Sequence, residues 1–314
     1  MPNEEIPDYP FSSAGWLRLK KFFETAKERQ IIYTLKELGR PRPWTKDSQF
    51  NTWYFCNVFR RNDKVTKWII ENVIRKYESH EDLWKKIILA RRLSRISSMD
   101  YLATYGGFDS LGKAKRLLWY LKEMGQPILT NAFVMGIPDP SLGNNKIDFI
   151  FNLIDFYEKK GIEDFLVGNR SIEKVTKFLM SAPNMGGFLS YEIATDFTYS
   201  RYLYDALDRD TWANPGPGCK RGLNVIEFGY PDLSNINDET ALMNMRSIFS
   251  LWKIEIANNI EKWIQEARIR ADTESDDVEA LMEDFLNLSM REVEHWLCEF
   301  DKHERTRPNK RTYP

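Results

Sequence analysis

Cysteine and histidine are scarce, three of each in 314 residues. Cys56, Cys219 and Cys298 stand far apart and share no metal-ligand spacing with His80, His295 and His303. Neither a structural zinc framework nor any other metal is expected, and a reducing compartment is indicated. Long apolar runs are missing too. No stretch approaches the ~20 residues needed to span a bilayer, so no membrane partner is expected. The opening MPNEEIPDYP is acidic and proline-bearing, unlike a secretory signal. Nor does one sign of charge dominate. Lys and Arg number 45 against 46 Asp and Glu, so nucleic-acid binding would have to come from local basic patches. Alternating strand patterns and fixed-period repeats are absent. What remains is an all-α protein of the cytoplasm.

What is present is a large apolar inventory. With 42% hydrophobic and 14% aromatic residues, the chain is far from disordered and fits one big domain or two intimate lobes. Residues 1–12 read as a tail, 13–304 as the helical body, and 305–314 as a basic tail carrying Arg305, Arg307, Lys310 and Arg311. Trp16, Leu19, Phe22 and Phe23 fall at helical spacing from Gly15, and a second segment with Ile31, Leu35 and Leu38 stops at Gly39. Leu242, Met245, Phe249, Trp252, Ile256, Ile260 and Trp263 step by three and four, which predicts one long amphipathic helix. Ser289 and Glu292 form a capping box that opens a last helix through about His303.

The stretch Phe178–Phe197 is the most informative. An apolar helix end meets Ala182-Pro183-Asn184-Met185-Gly186-Gly187, and a new helix follows. Asn184 tolerates a left-handed backbone, and the helix after it begins with free N–H groups that suit a phosphate oxygen. This segment resembles the helix–hairpin–helix of DNA glycosylases, with Asn184 in place of the usual first glycine and Ser190 as the small residue between helices. The resemblance implies an acid some two dozen residues on. Asp208 lies 25 positions after Pro183, within Asp205, Asp208 and Asp210. Asp208 and Asp210 are candidates to stabilise a developing cation or take a proton. A solvated helix end is the bland alternative, and the better one for Asp205.

Further on, Gly216-Pro217-Gly218-Cys219-Lys220-Arg221-Gly222 joins exposed amides to two cations, which an anion site needs. An ordered surface loop is the competing reading. Asn57, Arg60, Arg61 and Lys64 predict a shared helix face suited to a DNA backbone or a phosphorylated substrate, against the default of a solvated basic face. The last helix carries Glu294, Cys298 and Asp301 on one face and His295, Glu299 and Lys302 on another. General-base chemistry and plain helix salt bridges both explain that pattern. Gly107–Ala114 imitates a P-loop, but Ala114 stands where Ser or Thr should hold magnesium, and no buried strand precedes it. Kinase activity in this chain is disfavoured.

Taken in order, several segments resemble one family. They are Asn57–Asp63, Pro127-Ile-Leu-Thr130-Asn131-Ala-Phe, Gly187–Asp196, the Gly216–Asn224 stretch and Glu294–Lys302. They are similar to the phage thymine-hypermodification proteins labelled alpha-glutamyl/putrescinyl thymine pyrophosphorylases, whose related domains accompany 5-hydroxymethyluracil DNA kinases and amino acid:DNA transferases. The resemblance spans roughly residues 14–305 and implies a glycosylase-like helical fold. It implies that an activated 5-hydroxymethyluracil in DNA exchanges its phosphate or pyrophosphate for an amine. Such chemistry needs an extruded base, cations on the leaving group and a proton acceptor.

On that reading Asn57, Arg60, Arg61, Lys220, Arg221 and Lys302 hold substrate and leaving group. Asp208, Asp210, Glu299 and Asp301 supply acid–base chemistry. Asn184, Gly186, Gly187, Tyr191, Gly216 and Gly218 meet DNA, with Tyr191, Trp53 or Trp212 stacking on the base. No cofactor is required, although a pyrophosphate leaves room for magnesium. Expected partners are DNA carrying a modified pyrimidine, a small amine or amino acid, and a separate DNA kinase, in a host-cell cytoplasm if the chain is phage-encoded. A glycosylase that cuts the base from its sugar, and a non-catalytic DNA-binding partner of the kinase, remain the alternatives.

Overall fold

In the computed structural model, residues 11–130, 139–231 and 235–305 are described. Most of both expected tails, and Asn131, Ala132 and Phe133 of the Pro127 motif, lie outside them. The all-α expectation holds: no strand forms among the described residues. No helix among them is long and apolar enough to cross a membrane. The chain divides into two compact units, a terminal one (Met1–Arg60 with Asp210–Pro314) and a central one (Arg61–Arg209).

The terminal unit begins with Ser13–Glu37, capped by the Ser12 hydroxyl and ended near Gly39 at φ +67°. The two apolar segments read from the sequence are thus one helix. It packs with the long helix Asp238–Ala271 and the closing helix Met290–Glu304. Their shared core sets Phe22 edge-on to Trp252 at 5.1 Å and to Phe300 at 5.5 Å, and the Trp296 indole donates to the Phe22 carbonyl at 3.2 Å. The capping box at Ser289 and Glu292 is present.

The Gly216–Gly222 stretch is not a loop. Pro217–Phe228 is a helix with Pro217 in its first turn, and it lies directly against the closing helix. A Cβ on Gly222 would sit 2.3 Å from the Leu297 carbonyl oxygen, and one on Gly218 would sit 2.6 Å from Cys298 Sγ. These two glycines therefore serve close helix approach rather than exposed amides for an anion.

The central unit assembles around Leu83–Leu93, whose Ile87, Ile88 and Leu89 are buried. Arg91 on this helix is also buried. It binds both carboxylate oxygens of Asp196, at 2.5 and 2.6 Å, and the Thr66 hydroxyl at 2.9 Å. A planar fork on a carboxylate is the geometry that makes a buried pair tolerable. Asp196 belongs to Gly187–Phe197, the second helix of the expected hairpin, and Ile172–Leu179 is the first. The Tyr157 hydroxyl donates to the Leu179 carbonyl at 2.6 Å, satisfying an acceptor at the end of the first helix.

Candidate functional site

Polar side chains converge in the terminal unit along the closing helix. The backbone before Arg60 explains how. Residues 54–59 carry no helix, yet Phe55, Val58 and Phe59 are buried, so their peptide groups need partners. Arg29 donates to the carbonyls of Cys56 at 3.1 Å and Phe55 at 3.3 Å. Glu299 accepts the Cys56 N–H at 2.9 Å, and His295 Nε2 lies 3.1 Å from the Asn57 carbonyl, so it donates there. Burial and the positive charge of Arg60 push His295 down to about 3 and keep it neutral.

That irregular backbone overturns the predicted face of Asn57, Arg60, Arg61 and Lys64. Asn57 and Arg60 are buried in the terminal unit. Arg61 belongs to the central unit, half-buried in a cleft of about 380 Å3 with Lys67, Arg75 and Tyr199. Lys64 is exposed at the start of Lys64–Ile69. The sequence offered a warning: Asp63 takes the N-cap position of that helix, which a single helix running from Asn57 through Lys64 would not permit.

Glu294, next to His295 on the closing helix, is shifted the other way. Its carboxylate accepts from the Gly216 N–H at the mouth of Pro217–Phe228, faces Arg60, and lies 3.8 Å from Cys298 Sγ. Burial outweighs these contacts and lifts it to about 7. One turn on, burial pushes the Cys298 thiol well up, so it is no thiolate. Two turns on, Asp301 accepts from Arg221 Nε at 3.0 Å and from Arg305 Nε at 3.1 Å. Lys302 meets Glu299 at 3.3 Å.

Beside Arg221 opens a cleft of about 390 Å3, lined by Pro217, Lys220, Arg221, Asn224, Asn235 and Ile236 among others. Lys220 pairs there with exposed Asp238 at 2.6 Å. Two cations lining one cleft suit a phosphate. The carboxylates beside it, Asp238 on Lys220 and Asp301 on Arg221, are already paired with cations, which does not fit a protein-held magnesium.

Other expected residues land elsewhere. In the hairpin, Asn184 takes φ +58°, and Asn184 and Gly186 are exposed. Gly187 opens its helix with no side chain capping it. Tyr191 is only 5% exposed, which removes it as a stacking platform, whereas Trp53 and Trp212 are half-buried. Asp208 holds the start of Ile172–Leu179, accepting from the Ile172 N–H at 2.7 Å, the Glu173 N–H at 3.0 Å and the Ser171 hydroxyl at 2.7 Å. Asp205 pairs with Arg170, and Asp210 is exposed. In the P-loop mimic Phe108 is buried and Asp109 accepts from the Tyr77 hydroxyl at 2.7 Å, so that segment is spent on packing.

Comparison with known proteins supplies an external reference. The family model described as "5-hmdU DNA kinase, helical domain" matches residues 17–312. A curated relative, the 5-hmdU DNA kinase of Bacillus phage SP10, is 27% identical over 303 residues. That alignment covers 90% of this chain and 44% of the relative, so the chain spans less than half of the relative's length. No solved structure matches.

Proposed function

Because the chain belongs to the family of 5-hmdU DNA kinase helical domains, we propose that it is a DNA thymine-hypermodification enzyme. It replaces the phosphate or pyrophosphate of an activated 5-hydroxymethyluracil in DNA with an amine. The observation that carries this reading is the cationic cleft of Lys220 and Arg221 beside the closing helix. In the reaction a C–N bond forms at the 5-methylene carbon and the C–O bond to the phosphoryl group breaks. The leaving oxygen departs with the electron pair, and the amine nitrogen gives up a proton. Lys220 and Arg221 neutralise the departing anion, and Asp301 holds the Arg221 guanidinium in place. Cations there act on charge that grows in the transition state, which is where binding accelerates a reaction.

The hairpin of the central unit supplies the grip on DNA, the amides of exposed Gly186 and half-buried Gly187 meeting a backbone phosphate. The activated base comes from a separate DNA kinase, and the co-substrate is a small amine or amino acid in a host cytoplasm. Mass spectrometry of nucleosides tests this, using DNA with phosphorylated or pyrophosphorylated 5-hydroxymethyluracil and a panel of amines. An amine-substituted thymine is expected. Abasic sites would instead favour a glycosylase. Binding without any product would favour a recognition module beside the kinase, a second reading supported by the spent P-loop mimic and the relative's kinase name.

A further inference from the structure

We propose that the cleft of Arg61, Lys67 and Arg75 in the central unit binds a phosphate group, of the DNA backbone or of free pyrophosphate. This rests on the reading of a DNA-acting protein above and gives the central unit an anion contact besides its hairpin. Arg61, Asn62, Lys67, Glu71, Arg75 and Tyr199 line a space of about 380 Å3. Three cations thus border one cleft, against a single carboxylate among the lining residues. Like charges so placed repel one another, and a bound anion relieves that repulsion. Arg61 and Lys67 are half-buried, where water and salt screen their charge less than at the open surface.

The wall that carries Lys67, Glu71 and Arg75 has an uncommon backbone. Lys64–Ile69 is α-helical, Ile70–Ile74 is a π turn, and Arg75–Tyr77 returns to α. The Arg75 N–H donates to the Ile70 carbonyl, five residues back. An α-helix would set Glu71 and Arg75 one above the other, where an acid and a base four residues on form a pair. The wider turn breaks that alignment, and Glu71 and Arg75 make no ion pair with each other. The acid of this wall therefore does not neutralise the guanidinium beside it. Single π turns of this kind often mark functional sites. Tyr199, on the opposite wall, follows the helix Gly187–Phe197, whose start is the hairpin turn. Cleft and hairpin amides are thus roughly 18 Å apart at the helical rise of about 1.5 Å per residue. Duplex DNA covers that span in about five base steps.

The test measures binding of the full chain to a labelled duplex carrying 5-hydroxymethyluracil, over a series of salt concentrations, and to inorganic pyrophosphate by calorimetry. A variant combining Arg61→Gln, Lys67→Gln and Arg75→Gln should bind the duplex roughly tenfold more weakly. Its slope of log affinity against log salt should be shallower by about 1, the share of one phosphate. Glu71→Gln should act the other way and tighten binding about two- to fivefold, a gain that misfolding does not produce. Weaker duplex binding with these signs assigns the cleft to a backbone phosphate. Loss of a pyrophosphate site with duplex binding intact assigns it to the free anion. Wild-type binding of both ligands in both variants overturns the proposal. Weaker binding by the triple variant with an unchanged salt slope, and no gain in Glu71→Gln, also overturns it. A wild-type chain that binds DNA through this cleft yet forms no amine product overturns the transferase and leaves the site standing. A wild-type chain that binds neither ligand overturns both.

Discussion

The two units use their acidic groups differently. In the central unit the acids serve structure: Asp196 is locked to Arg91, Asp208 caps a helix, and Asp100 accepts from the Trp68 indole at 2.7 Å. In the terminal unit Glu294 and His295 are both held away from their ordinary protonation, in opposite directions. A carboxylate near a motif is therefore a weak guide to chemistry. What separates the two kinds is whether strong, complementary donors have already been supplied.

The largest test of that contrast is Arg91→Ala. It strands Asp196 in the interior, and the central unit should lose about 3–5 kcal/mol, read by chemical denaturation. Next is Gly222→Ala in the terminal unit. The new methyl meets the Leu297 carbonyl, so about 2–3 kcal/mol should be lost and the closing helix should become sensitive to proteolysis.

Smaller is the pH effect at Glu294. Its native value near 7 exceeds the ordinary 4.5, so between these pH values the folded chain binds a proton that the unfolded chain has released. Stability must then fall as pH rises across that window. For His295, lowered from 6.5 to about 3, the sign reverses and stability climbs with pH between those values. Glu294→Gln removes only the first effect. Its stability relative to wild type should grow by about 2 kcal/mol from pH 4.5 to 7.5 in thermal or urea melts.

Asp208→Ala should cost about 1–2 kcal/mol through the lost cap. Were Asp208 instead part of the chemistry, product formation would vanish in protein of nearly normal stability. Smallest of all, Asp205→Ala breaks a partly exposed pair with Arg170 and should shift stability by no more than about 0.5 kcal/mol.

Much of the fold is legible because helices write their periodicity locally. The stripe from Leu242 to Trp263 lies within Asp238–Ala271, and Asn184 adopts the left-handed backbone that its turn demanded. The capping box at Ser289 is equally local. The failures share a cause: they depend on partners distant in sequence. Gly218 and Gly222 sit four apart, and Pro217 suits a first helical turn. Both are helix signals, but the Leu297 backbone that makes them necessary is invisible in the motif. Residues 54–59 are held by Arg29, Glu299 and His295, which no window around Asn57 contains. The hydrogen bond from Gly216 to Glu294 was likewise beyond spacing, although Glu294 and Cys298 share a helix face.

Where two helices touch through glycine, no flexible side chain is left to absorb a shift. Any sliding of Pro217–Phe228 along the closing helix would drive backbone into backbone at Gly222 and Leu297. The pair should move as one stiff beam, with Gly216 held against Glu294 and Arg221 against Asp301. Opening for a bulky guest must then come from the ends of that beam, not from its seam.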